Sequence, residues 1–223
     1  IPQIQEMFAC AKENGVILME AFAYLHSPLI AEIKKELKSG VIGDVLYMES
    51  QFITSDYDVS NIRMRKETFG GATYDLGCYT TTQILWMLDE EPVKVQAVAD
   101  FSERGIDTYT SGLMTFADGK KATFICAMVL ATDKDRRIDC LRIHGTKGDI
   151  RCDAQFNQCG ELSYSLTIGD EQFVKTVSTP QNYKLEVEQL GRCITDGEQP
   201  HVSEAFSMKN ARLLQKILTI IGY

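Results

Sequence analysis

The sequence has no Cys-x-x-Cys pair, only three histidines and no run of basic residues. It also has no apolar stretch approaching the roughly 18 residues that a membrane-spanning helix needs. Each absence removes a class of function. His26, His144 and His201 are not paired at metal-ligand spacing, so no metal site is expected. Lys and Arg number 23 against 31 Asp and Glu, a formal net charge of −8, which argues against nucleic acid as a partner. No membrane association is expected, and the opening "IPQIQEMFACAKENG" carries no signal-peptide pattern. Seven cysteines, an odd number, fall mostly in apolar or strand-like runs. They read as small apolar residues of a reduced protein, and a cytoplasmic location is the expectation. There are no internal repeats and no low-complexity linker. What remains is 223 residues with 44% hydrophobic and 24% charged, enough for a packed core in one large domain or one and a half ordinary ones.

The chain opens with Ile4, Met7, Phe8 and Ala11 at helical spacing, stopped by Asn14-Gly15. "VILME" (16–20) follows as a short apolar run of the kind that forms a buried parallel strand. A helix feeding such a strand is half of a βαβ unit, so the sequence is expected to begin inside an α/β domain. Residues 28–38 read as an amphipathic helix with Pro28 in its first turn and Gly40 beyond its end. Residues 44–54 read as a strand, 56–68 as polar and irregular, and 80–89 as a helix that 70–79 leads into. From residue 93 the period becomes two. Asp118-Gly119 marks a two-residue hairpin, a second turn lies at Gly145–Gly148, and a third at Gly169-Asp170. The end returns to helix. Tyr183, Val187, Leu190 and Ile194 share a face, and Ser203 can cap a last helix through Ile221. The expected class is α+β: a mostly antiparallel, open-faced sheet of about six to eight strands with helices packed on one face. A helix–strand remnant of another domain precedes it.

Several residues carry chemistry. In "GGATYDLGCY" (70–79), Asp75 and Tyr79 are spaced to share a helical face. A carboxylate at a helix start and a phenol one turn on suit hydroxyl binding and proton transfer, with Gly70 and Gly71 letting the backbone approach a ligand. The same spacing suits a glycine turn, an acidic helix start and a packed tyrosine, and spacing alone leaves both open. In "MEAFAYLHSP", Glu20 ends the expected strand, where ligands bind in α/β folds. Tyr24 and His26 could face the same crevice or form an aromatic corner. Arg63, near the glycine turn, could clamp a phosphate or carboxylate or lie solvated. His144, His201 and the cysteines receive no role.

Four segments, "MEAFAYLHSP", "IRMRKETFGGATYDLGCY", "GTKGDI" and "SEAFSMKNARLLQKIL", stand in an order and at spacings that resemble the glucose–fructose oxidoreductase, inositol dehydrogenase and MocA family. The nearest subgroup by motif contains dihydrodiol and sugar dehydrogenases, and the resemblance runs over essentially the whole chain. It implies an N-terminal Rossmann domain that binds NAD or NADP, and a C-terminal sheet domain that supplies the substrate pocket and the oligomer interface. Residues 1–20 would be the end of the first and 21–223 the second. The implied reaction is hydride transfer between nicotinamide and a hydroxyl of a small sugar, cyclitol or diol. The family's Glu-Lys-Pro motif, with a catalytic Lys, and its Gly-rich fingerprint are not in this sequence, so residues 1–223 alone are expected to be inactive and to bind no NAD(P)H. The alternative is a non-catalytic binding or assembly module of the same fold. Carried over residue by residue, Tyr79 would be the acid–base residue and Asp75 would hold a substrate hydroxyl. Glu20, Tyr24 and Arg63 would lie on the cofactor side. The resemblance implies a homodimer or homotetramer through the sheet face. Where the subgroup often has three glycines, this chain has Phe69-Gly70-Gly71.

Overall fold

The computed structural model describes residues 1–223 apart from 56–57 and 130–136. The start of the expected irregular segment 56–68 therefore lies outside the described residues. Helix α1 (Pro2–Glu13) forms as expected, with Pro2 in its first turn, yet it buries none of its residues. Residues 16–20 form no ladder with any strand among the described residues. That expected strand is not made, because a buried parallel strand needs a neighbour on its edge.

A 3₁₀ turn (Ala23–His26) leads into α2 (Pro28–Ser39), which ends on Gly40 in the left-handed region. Leu29, Ile30 and Ile33 form its buried stripe. Strand β1 (Val45–Ile53) precedes two short 3₁₀ turns at 62–64 and 66–68. A π-turn (Thr73–Gly77) then runs directly into α3 (Cys78–Leu88). Strands β2 (Lys94–Phe101), β3 (Asp107–Thr115) and β4 (Lys121–Ala127) follow. After them come β5 (Ile138–Gly145), β6 (Gly148–Cys152), β7 (Gly160–Ile168) and β8 (Glu171–Thr179). Helices α4 (Asn182–Thr195) and α5 (Glu204–Ile221) close the chain, and Ser203 Oγ caps α5 by accepting from the Phe206 N–H at 3.2 Å.

The strands make one eight-stranded sheet in the order β2-β3-β4-β1-β5-β6-β7-β8. Every neighbouring pair is antiparallel except β1 with β4, which run parallel with Tyr47 opposite Lys121. Alternation along β1 turns Met48, Ser50 and Phe52 inward, where α3 covers them together with Phe124 and Ile143. Helix α5 packs on α3 and β2, and α2 packs near β8. The opposite face is open, with Val98 and Val174 exposed on it.

Two local expectations change. The β3–β4 hairpin has a three-residue loop: Gly119 N–H donates to Phe116 O at 3.0 Å, and Phe116 N–H to Lys120 O at 3.1 Å. Gly119 sits at φ +93°, which is the three-residue type I turn with a glycine bulge rather than a two-residue turn. Helix α4 turns its apolar face outward, leaving Tyr183 54%, Val187 69% and Ile194 69% exposed. Its buried side carries Asn182, Glu186, Gln189 and Cys193. The neighbours decide this. Gln189 donates to Gln199 O at 2.9 Å and accepts from the His201 N–H at 3.2 Å, so the helix docks on the Ala23–His26 turn and the 199–201 loop rather than on the sheet.

Candidate active site

The glycine pair comes first, because it sets where α3 starts. A Cβ on Gly70 would lie 2.4 Å from Arg63 O, and one on Gly71 would lie 2.2 Å from Asp107 Oδ1. The pair therefore lets the chain approach itself, not a ligand as its position suggested. Asp107, fully buried at the start of β3, accepts through Oδ2 from Thr73 N–H (2.7 Å), Thr73 Oγ1 (2.7 Å) and Thr110 Oγ1 (2.8 Å). A buried carboxylate from another strand thus anchors the π-turn that holds Asp75. Nothing in the sequence around Asp107 marks it for this, since its partners are brought to it only by the sheet.

Asp75 and Tyr79 line one open cleft of about 640 Å³, together with Glu20, Phe22, Tyr74 and Cys78. Helix α5 supplies the far wall with Asn210, Ala211 and Leu214. Arg63 does not line it. Its Nε donates to Asp75 Oδ1 at 2.7 Å, so it tethers the carboxylate from the side. Asn61 fixes the turn before it by accepting from Arg63 N–H at 3.0 Å.

The Tyr79 ring stands in an aromatic cluster, 5.8 Å from Phe22, 5.7 Å from Tyr24, 5.5 Å from Phe52 and 5.3 Å from Phe156. Burial pushes its hydroxyl up to about 12, and Cys78, Tyr183 and Asp75 add to that, while a hydrogen bond with Asn157 pulls the other way. A phenol in this state is protonated at neutral pH and is a hydrogen-bond donor. Glu20 also lies in the cleft. Burial raises its pKa, partly offset by the Ser207 hydroxyl beside it, and its Oε2 is buried without a hydrogen bond of normal geometry.

Tyr24 and His26 do not face the cleft. Tyr24 is 1% exposed; its hydroxyl pairs with Thr82 Oγ1 at 2.8 Å and reaches Tyr79 O at 3.4 Å, so it props the first turn of α3 from below. His26 stacks near His201 at 4.8 Å, and burial lowers its pKa to about 4. His144 lies beside Tyr47 at 5.9 Å. All seven cysteines are free thiols, and among the described residues no three metal-ligating side chains gather. Sequence reasoning missed the loop between β6 and β7, which brings Phe156 to Tyr79. Its only local signal is Asn157 in a polar stretch before Gly160, a residue that tolerates the left-handed region.

With the geometry in place, the chain can be set beside known proteins. Residues 30–151 match a family model described as the GFO/IDH/MocA C-terminal domain. A trans-1,2-dihydrobenzene-1,2-diol dehydrogenase from Xenopus tropicalis is 28% identical, covering 99% of this chain and 67% of its own length. A D-xylose 1-dehydrogenase (NADP(+)) from Haloferax volcanii is 27% identical over 95% of this chain and 64% of its own. Among solved structures, a 3-ketoreductase from Actinomadura kijaniata in complex with NADP and TDP-benzene superposes with a TM-score of 0.90. It has 22% identity, covering 99% of this chain and 67% of that one, a likeness of fold. The chain thus spans about two thirds of the length of these relatives.

Proposed function

The chain belongs to the GFO/IDH/MocA family, whose C-terminal-domain model covers residues 30–151, and from that premise we propose that its cleft is the substrate side of an NAD(P)-dependent oxidoreductase. The substrate would be a small sugar, cyclitol or diol. The observation that carries the reading is the convergence of Asp75, Tyr79 and Glu20 on one cleft from two separate parts of the chain. The names of the relatives, a diol dehydrogenase and a xylose dehydrogenase, support the substrate class.

The residues fit one end of the cofactor. The cleft has room for a ring, an apolar wall at Phe22 and Leu214, and an incompletely paired carboxylate at Glu20. The described residues offer no glycine-rich strand-to-helix turn to cradle phosphates. In this proposal that function belongs to a nucleotide-binding domain of the kind the family resemblance implies. A bound nicotinamide would accept or give the hydride.

The chain's own residues handle the substrate and the proton. Tyr79 Oη, protonated and half-buried, is the group that delivers a proton to a carbonyl oxygen in the reducing direction. To take a proton in the oxidising direction it needs a cation nearby to hold its pKa down, and the Arg63 guanidinium is engaged with Asp75. A Lys from the preceding domain would serve. Asp75, held by Arg63 and by the anchored π-turn, accepts from a substrate hydroxyl. Phe22, Phe52 and Phe156 keep water from the Tyr79 ring. The cofactor-side roles expected of Tyr24 and Arg63 become positioning roles toward Tyr79 and Asp75. The open sheet face, with Val98 and Val174 exposed, is the proposed homodimer or homotetramer contact.

The reading is tested by supplying the longer protein with NAD⁺ or NADP⁺ and a panel of polyols and aldoses. Reduced nicotinamide should accumulate with at least one of them. Residues 1–223 alone should show no NADPH binding by calorimetry. A micromolar affinity there would overturn the division of labour between the two domains.

A further inference from the structure

One buried residue of α5 is a poor choice for packing. Asn210 is 1% exposed in the middle of the helix. An asparagine there is a weaker helix former than a leucine, and it buries a carbonyl and two N–H bonds that all need partners. Buried polar groups in folded proteins are paired, so a gap needs a cause. Half of this amide is paired. Asn210 Oδ1 accepts from Thr81 Oγ1 at 2.7 Å, across the contact between α5 and α3. The other half is not. No acceptor among the described residues takes an N–H of Asn210 Nδ2.

The place where the amide is left open is the cleft. Asn210 lines it together with Asp75, Tyr79 and Glu20. The amide is planar, so holding Oδ1 toward α3 turns Nδ2 to the other side. Two neighbours share its condition. Ser207 Oγ, one turn earlier on α5, and Glu20 Oε2 beside it are buried without a hydrogen bond of normal geometry. This wall therefore brings a fixed N–H donor and a carboxylate to the same cleft as the turn that bears Asp75 and Tyr79.

We propose that Asn210 is a ligand-binding residue of the site, its Nδ2 donating to an acceptor oxygen of the bound molecule while Thr81 holds the amide in the orientation that presents it. The oxygen is a hydroxyl or carbonyl of the small polyol, or the carboxamide oxygen of the nicotinamide; the recognition chemistry is the same. The inference rests on the functional reading above for what enters the cleft, but the unpaired half of the amide does not.

An amide kept for a ligand has a signature that one kept for the fold lacks. Asn210→Leu removes it at nearly constant volume, and the Thr81 hydroxyl keeps Gly77 O as an acceptor at 2.9 Å, so the change orphans no buried donor. In residues 1–223 this variant should melt no more than about 3 °C below the parent; a larger fall shows that the amide serves the fold and overturns the proposal. In the longer protein, Asn210→Leu should raise about tenfold either the KM of the polyol or the dissociation constant of NADPH read by nicotinamide fluorescence, with kcat lowered less than about threefold. A rise in KM alone places the contact on the substrate, and a rise in the NADPH constant alone places it on the carboxamide. Asn210→Asp keeps the shape, loses both N–H bonds and should weaken the same ligand. Both constants unchanged in the two variants, or a loss confined to kcat, overturns the proposal. If the parent turns over no polyol, the oxidoreductase reading fails, while the melting experiment still decides whether Asn210 is held for a ligand or for the fold.

Discussion

Gly71→Ala should be among the most damaging single-methyl additions in the molecule. Two costs combine. The backbone stands at φ +108°, which for a residue with a Cβ costs about 1–3 kcal/mol. The new methyl would also lie 2.2 Å from Asp107 Oδ1, and that carboxylate has little freedom to retreat because its other oxygen accepts three hydrogen bonds. Losing one bond to a charged group costs about 1.5–3 kcal/mol. The sum, about 2.5–6 kcal/mol, is a large share of the roughly 5–15 kcal/mol that a folded domain has. At about 2–4 °C per kcal/mol for a chain of this size, Tm should fall by roughly 5–24 °C. Urea unfolding of residues 1–223 is the assay, with Gly119→Ala as the control. Gly119 has a similar backbone at φ +93° but nothing within 4 Å of its would-be Cβ, so it reports the backbone cost alone. If Gly71→Ala costs no more than Gly119→Ala, Asp107 is not the anchor of the π-turn and the account of how Asp75 is placed is wrong.

Two further outcomes are expected. Glu20 has a raised pKa in the folded state, so its contribution to stability is complete below about 4.5 and is lost as the pH rises through the folded value. Glu20→Gln should remove that decline, giving equal stability to the parent in acid and greater stability at neutral pH; a parallel pair of stability–pH curves would refute it. Phe69 holds φ +54° with its ring 65% exposed, so Phe69→Gly should stabilise by about 0.5–1 kcal/mol once the strain relieved is set against the added freedom of the unfolded chain. A loss of more than about 1 kcal/mol would show instead that the ring's edge contact with Tyr74 at 5.7 Å matters more than the backbone.

Much of the fold was legible because its signals are local. Alternation marked the strands, Gly169-Asp170 marked a true two-residue turn with Ile168 opposite Glu171, and Ser203 marked the start of α5. The errors arise where a distant partner decides. The apolar run at 16–20 carries a strand pattern but meets no strand edge here. The stripe on α4 is hydrophobic, yet the opposite side, where Gln189 bonds the backbone of Gln199 and His201, is the one docked on the Ala23–His26 turn. Gly70 and Gly71 advertise close approach without saying to what, and the answer, Asp107, comes from another strand. That Asp75 and Tyr79 line one cleft was legible from their spacing, because they lie one helical turn apart. Tyr24 was legible as an aromatic but not as a buried prop, since its partner Thr82 lies on α3. Phe156 was invisible for the same reason: its loop is meaningful only beside the Tyr79 ring. The single parallel pair, β1 with β4, likewise depends on the crossover that inserts β1 into the centre of the sheet.

The central claim, that the turn bearing Asp75 and Tyr79 carries the proton chemistry of a hydride-transfer enzyme, is tested most directly by steady-state turnover of Tyr79→Phe and Asp75→Asn in the longer protein with its nicotinamide cofactor. The account predicts a fall in kcat of at least about 100-fold for Tyr79→Phe, where the hydroxyl assigned the proton is removed, and about tenfold or more for Asp75→Asn. Near-parental turnover in both variants would contradict it.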